Sequence, residues 1–273
     1  MTRRSGFGAG VGNRAEPGDI AAGIELLAFD LDGTLVDSAP DLNYCLGRAL
    51  ESVGLPPPSE DQTRSWIGGG VEELIRRALI HAKSGDESRS APASGADDRR
   101  HDPLAGSAEG RREVPAVPAP LFESTCASFS ACYEKNLFAR SRLYPDVADT
   151  LAALGARGIR LCCVTNKRRY LADALLEQAG IRDRFELVLG GDSLPEKKPS
   201  PMQLEAAAAT LSVAPAAAVF IGDSDHDLKA ARDAGWRFIW ASYGYRRAID
   251  AAETSLAVID HFAELAELLP ARG

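Results

Sequence analysis

Apolar residues fall along this chain in short blocks, separated by segments whose apolar positions recur every three or four residues. From Gly23 onward the blocks "IELLAF" (24–29), "IRLCCV" (159–164), "FELVLG" (185–190), "AAVFIG" (217–222) and "WRFIWAS" (236–242) have strand length. They show little alternation, as strands covered on both faces should. The segments between them are helical: "RRYLADALLEQAG" sets Leu171, Leu175 and Ala179 on one face and stops at Gly180. Further helices are expected over "SPMQLEAAAATL" and after Asp225. This order predicts an α/β fold, a doubly wound, Rossmann-like parallel sheet with helices on both faces.

The gap between the first two blocks is too long for a single crossover helix and implies an inserted unit. Within it "APDLNYCLGRALESVG" places Leu42, Leu46, Ala49, Leu50 and Val53 at helical spacing, with Ser38 as a cap and Pro40 in the first turn. "VEELIRRALIH" and "LFESTCASFSACYEKNLF" repeat that period through Val71, Leu74, Ile75 and Ala78, and through Phe122, Cys126, Phe129, Tyr133 and Leu137. The expected organisation is a core of residues 23–37 and 143–273 with a helical insertion over 38–142. Residues 83–118 offer only Leu104, Val114 and Val117 as sizeable apolar side chains, so disorder is expected there. Residues 1–22 read as a flexible extension.

Composition narrows the function class. A formal charge of -8 argues against a nucleic-acid surface, and no run approaches the roughly 18 apolar residues of a membrane span. Five cysteines, with Cys162 and Cys163 inside an apolar block, read as reduced residues of a cytoplasmic protein.

The ends of the blocks carry the candidate chemistry. "LLAFDLDGTLVDS" sets Asp30 and Asp32 directly after a buried strand, where two like charges lose stability unless a cation sits beside them. Two residues apart on extended chain, they share one side. The other blocks end in Thr165 and Asn166, in Lys197 and Lys198 before Pro199, and in Asp223, Ser224, Asp225, His226 and Asp227. Ligands of doubly wound sheets bind beyond the carboxyl ends of strands. That set suits phosphoryl transfer through a carboxylate nucleophile, with magnesium on the hard oxygens of Asp30 and Asp223 and donors for the phosphoryl oxygens.

The ordered series "DLDGT", "VTN", "KKP" and "GDSDHD" resembles the four motifs of the haloacid dehalogenase (HAD) superfamily, across nearly all of residues 24–270. The resemblance implies that Asp30 is the nucleophile and Asp32 the general acid and base. It further implies that Thr165, Asn166 and Lys198 bind phosphate, and that Asp30, the backbone carbonyl of Asp32, and Asp223 bind Mg2+. Asp227 is expected to orient Lys198 or a metal-bound water. The insertion resembles the cap of that superfamily, in which Trp66, Gly68 and Gly69 of "WIGGG" are expected to meet substrate at the start of a helix. "FDLDGTLVDSAPDL", "WIGGG", "LYPDVADTLAAL", "VTNK", "GGDSLPEKKPSP" and "YGY" are most similar to the bacterial phosphoglycolate phosphatases, which implies 2-phosphoglycolate as substrate. Arg168 departs from that pattern, where relatives often carry proline.

Each residue has a plainer alternative. Thr165 and Asn166 are good helix caps, Asp225 and His226 suit a helix start, Trp66 could be packing, and Tyr243 and Tyr245 read as structural. Two other activities stay open: a phosphatase or mutase for another small sugar phosphate, and a receiver-type switch, which leaves Asp32 and the insertion unexplained. The chain is expected to act as a monomer or homodimer.

Overall fold

Each of the five apolar blocks becomes a strand. The computed structural model describes residues 23–89, 116–245 and 255–269; the expected extension over 1–22 and most of the expected disordered stretch lie outside them. The strands are β1 (Leu26–Phe29), β4 (Arg160–Val164), β5 (Leu187–Leu189), β6 (Ala218–Gly222) and β7 (Arg237–Ala241). A sixth, β8 (Ala257–Ile259), extends the edge, and β2 (Val36–Asp37) pairs antiparallel with β3 (Arg142–Leu143). Neither β8 nor that small ladder was expected, because two or three residues are too few to show a period.

The main sheet is parallel throughout, in the order β5-β4-β1-β6-β7-β8. Chain order therefore reverses at β1, the switch point at which doubly wound sheets bind ligands. Phe29 pairs with Cys163 on one side and Ile221 on the other, so Asp30 falls level with Val164 and Gly222, and Thr165 and Asp223 follow one residue later on the neighbouring strands. Alternate residues of each strand feed two cores. Leu27, Phe29, Cys163 and Ile221 face α5 (Val147–Ala156), α6 (Arg169–Gln178) and α9 (Glu264–Leu268); Leu26, Ala28, Cys162 and Phe220 face α7 (Met202–Leu211) and α8 (Asp225–Asp233). Both cysteines of the pair are buried and reduced. Among the described residues no helix is long and apolar enough to cross a membrane.

The insertion consists of α1 (Ala39–Glu51), α2 (Glu60–Trp66), α3 (Val71–Arg89) and α4 (Ala119–Tyr133). Leu42, Leu46, Ala49 and Leu50 of α1 are buried among Leu74, Ile75 and Ala78 of α3 and Phe129 and Tyr133 of α4. Helix α2 was not anticipated, since only seven residues carry it; Ser59 and Gln62 close a reciprocal capping box at its start. α3 runs to Arg89, so residues 83–89 are helical rather than disordered. Once nucleated on its apolar face a helix propagates at little cost, even past Ala82, its last buried residue in the described part. Asp41, fully buried, ties the return of the insertion to its departure by accepting hydrogen bonds from the backbone N–H of Arg140 and Ser141.

Candidate active site

Asp30 follows β1 and is 5% exposed, a placement a carboxylate tolerates only beside positive charge. Lys198 supplies it: its Nζ lies 2.8 Å from Asp30 Oδ1 and 2.6 Å from Asp227 Oδ1, and donates to the carbonyl of Val164 at 2.9 Å. Asp227 in turn accepts hydrogen bonds at Oδ2 from the backbone N–H and hydroxyl of Ser224, so both its oxygens are engaged. Burial works against the Lys198 ammonium, yet Asp227 and Asp30 together hold its pKa above the ordinary lysine value. Burial pushes the Asp30 carboxyl up to about 7, against the pull of Lys198 and with a further push from Asp227.

Asp223 is the third member of the cluster. It accepts from the Thr34 hydroxyl at 3.1 Å and from the Tyr245 backbone N–H at 2.8 Å. Burial, and then Asp30 and Asp227, hold its carboxyl well above the carboxylate range. Gly33, with φ of +93°, lets the chain leave β1 against this side chain; a Cβ there would overlap the Asp223 carboxylate. Oxygens of Asp30, Asp223 and Asp227 lie within 4.8 Å of one another. Against these three carboxylates stands the single ammonium of Lys198, an excess of negative charge that suits a hard dication.

Asp32 faces a different partner. Both its oxygens take hydrogen bonds from Lys167 Nζ, at 2.8 and 2.9 Å, and one takes a third from the Ser38 hydroxyl. Ser38, expected as the cap of α1, makes no side-chain cap hydrogen bond; its hydroxyl serves Asp32 instead. Sequence reasoning passed over Lys167, which in "TNKRRY" looks like a solvated start of helix α6. The signal available was its position, one residue after a pair at a central strand end.

Above these groups lies a cavity of about 30 Å³ between the sheet and the insertion. Asp30, Asp32, Thr165 and Lys167 line it from below, and Ile67, Gly68 and Val71 from above. Three expected site residues, Asn166, Trp66 and Gly69, are engaged in contacts of their own. The amide nitrogen of Asn166 donates to the carbonyls of Gly68 (2.8 Å) and Lys198 (2.9 Å), so its side chain joins insertion to core, while the residue still lines the cavity. Trp66 is 8% exposed and packs on His81 at 5.4 Å, inside the insertion; the next residue, Ile67, reaches the cavity. Gly69 likewise points away, its carbonyl accepting from Lys197 Nζ at 2.8 Å. Tyr245, read as structural, binds the backbone N–H groups of Ser38 and Ala39 through its hydroxyl and lies beside Asp37.

A family model described as haloacid dehalogenase-like hydrolase matches residues 24–235, from two residues before β1 to two residues beyond α8. The chain belongs to the haloacid dehalogenase-like hydrolases. It is 39% identical over 246 residues to the phosphoglycolate phosphatase of Nitrosococcus oceani, covering 90% of this chain and 96% of that one. With the phosphoglycolate phosphatase of Chromobacterium violaceum the identity is 37% over 222 residues, or 81% and 86% of the two chains. Among solved structures, a predicted phosphoglycolate phosphatase from Haemophilus somnus superposes with a TM-score of 0.78 at 33% identity, covering 91% of this chain and 99% of its own. CbbY from Rhodobacter sphaeroides, solved in complex with phosphate, superposes at 0.65 with 25% identity, over 90% and 99% of the chains.

Membership in the HAD-like hydrolases matches the sheet order and the inserted helices. The insertion is held to the core by polar contacts beside the cavity: Asn166 to Gly68, Lys197 to Gly69, and Arg168 to Glu72 at 2.8 Å. Arg168, the departure noted in the sequence, therefore bridges the two parts through an exposed ion pair, worth little by itself.

Proposed function

We propose that this HAD-like hydrolase is a magnesium-dependent phosphatase that converts 2-phosphoglycolate to glycolate and phosphate through an aspartyl-phosphate intermediate. The observation that carries the reading is the meeting of Asp30, Asp32 and Thr165 under one small cavity, with Lys198 behind Asp30. The relatives named phosphoglycolate phosphatase support the substrate.

In the first step a carboxylate oxygen of Asp30 attacks phosphorus and the ester oxygen leaves with a proton from Asp32. In the second, Asp32 takes a proton from water as that water displaces Asp30 from phosphorus. The Thr165 hydroxyl and Lys198 ammonium hold the phosphoryl oxygens, whose charge grows in the transition state. Asp227 keeps Lys198 aimed at Asp30. Asp30, the backbone carbonyl of Asp32, and Asp223 would hold Mg2+. When bound, the ion offsets the charge of the acids and of the phosphoryl group. The insertion lies over Asp30 and limits the access of water to it, and the cavity of about 30 Å³ is small for an ester, so the reading includes a parting of insertion and core as substrate enters.

The buried acids set a pH dependence. An Asp30 carboxyl with a pKa near 7 when folded, against 3.8 in its ordinary state, takes up a proton on folding. Its contribution to stability is greatest at low pH and falls as pH rises between those values. Mg2+ competes with that proton, so the rise in melting temperature on adding Mg2+ to chelator-treated protein is expected to grow from pH 5 to pH 8. Thermal melts in paired buffers check this; an increment independent of pH would remove the acid cluster as the metal site.

Substrate choice is tested with a panel of phosphate esters in Mg2+. 2-Phosphoglycolate is expected to give the highest kcat/KM, ahead of glucose and fructose phosphates by at least about tenfold. A sugar phosphate at the head of the panel, or transfer of phosphate between sugar positions, would replace this substrate assignment.

A further inference from the structure

Lys167 is 5% exposed and lines the cavity, where its ammonium is held by Asp32 and lies 5.1 Å over the ring of Tyr133 in α4. Its Nζ faces both carboxylate oxygens of Asp32, at 2.8 and 2.9 Å. Lys198 is enclosed by Asp30, Asp227 and the Val164 carbonyl, and is committed to the phosphoryl end of the site. Lys167 is thus a second ammonium, on the acid/base side of Asp30, where the leaving group of an ester must lie.

The opposite wall reinforces it. α3 begins at Val71, and Gly68, Gly70 and Val71 line the same cavity, so the positive end of a 19-residue helix opens there. Glu72 and Glu73 in its first turn would oppose an anion, but Arg168 lies 2.8 Å from the first and Arg77 2.7 Å from the second. The rest of that wall is apolar, formed by Leu42, Ile67 and Leu74. A neutral alcohol as leaving group offers this arrangement only an uncharged acceptor; a carboxylate adds the opposite charge to the hydrogen bond it accepts from Lys167.

We infer that Lys167 is the receptor for the substrate's carboxylate and sets the preference for phosphate esters that carry one beside the ester oxygen. The inference rests on the phosphoglycolate reading and names the residue that enforces it. Because Lys167 already holds Asp32, the substrate's carboxylate joins or replaces that partner, which ties recognition of the leaving group to the placement of the acid that protonates it.

The test is a ratio, since a change at Lys167 also reaches Asp32 and slows every ester. kcat/KM is measured for 2-phosphoglycolate and for 2-hydroxyethyl phosphate in the wild-type chain and in Lys167→Met. In parallel, binding of 3-phosphonopropionate and of propylphosphonate, non-hydrolysable analogues with and without the carboxylate, is measured by calorimetry in Mg2+. The wild type is expected to prefer the carboxylate member of each pair, and Lys167→Met to lose on the order of 10- to 100-fold of that preference in both ratios. Lys167→Gln gives the same comparison if the Met variant does not fold. A wild-type preference that survives both substitutions, with the two esters slowed alike, would assign Lys167 to positioning Asp32 alone and overturn the inference. Absence of any preference in the wild type would instead overturn the substrate reading, and the inference with it.

Discussion

Asp30→Asn is expected to abolish turnover, by on the order of 10⁴-fold or more, while the protein stays folded. An amide at this position has no charge to attack phosphorus and is a poor ligand for a hard cation, so both proposed roles of Asp30 fail together. The fold has little reason to follow. Lys198 keeps Asp227 at 2.6 Å and the Val164 carbonyl at 2.9 Å, and the substitution removes one of three crowded carboxylates without leaving a cavity. In chelator the variant should melt at the same temperature as the wild type or higher, because a buried charge has gone. In Mg2+ it should gain less than the wild type does. Steady-state assays with 2-phosphoglycolate and melts in both buffers check the two halves. Turnover above about 1% of the wild type would remove Asp30 as the nucleophile.

The residues that form this site were legible in the sequence to differing degrees, for reasons that can be stated one residue at a time. Asp30 and Asp223 stood out because acids directly after a fully apolar strand have no structural justification. The five strands were legible because burial on both faces leaves unbroken apolar blocks, whereas β8, with Val258 exposed, lacks that mark. The amide contacts of Asn166 were not legible, because its partners, Gly68 and Lys198, lie 98 and 32 residues away in sequence. Lys167 escaped notice for the same reason. Its partner Asp32 is 135 residues distant, and a lysine ahead of two arginines looks solvated until the sheet brings β1 beside β4.

Two acid–lysine pairs result, and they divide the site. Asp30 with Lys198 lies on the proposed phosphoryl side, backed by Asp227; Asp32 with Lys167 lies toward the insertion, under Tyr133 of α4. The core supplies all four charges, and the insertion supplies the apolar cover that makes them strong. Pairing also explains how the chain tolerates acids in an apolar setting: each has a buried cation within 2.8 Å.

Lys198→Met is the substitution expected to damage stability most. Its aliphatic stem still packs near Phe220, over whose ring the ammonium lies at 5.1 Å, so the loss is of charge rather than of volume. Without the ammonium, Asp30, Asp223 and Asp227 remain as buried like charges, and breaking such a group by removing one partner costs about 3–5 kcal/mol. For a chain of this size that corresponds to a fall in melting temperature on the order of 10 °C in chelator. The sign of its pH dependence follows from Asp30, whose folded pKa is already raised to about 7 and rises further once Lys198 no longer opposes it. Protonation relieves the repulsion at pH 5, so the deficit against the wild type should be smaller there and larger at pH 8. Lys198→Met combined with Asp227→Asn removes one charge of each sign and should recover at least half of the lost stability. Activity should stay down by on the order of 10³-fold in both variants, because the phosphoryl oxygens have lost a donor in either case. Denaturant melts at the two pH values, paired with turnover assays, separate the effects; a deficit that ignores pH and is untouched by Asp227→Asn would mean that Lys198 supports the fold by packing and not by holding this cluster of acids.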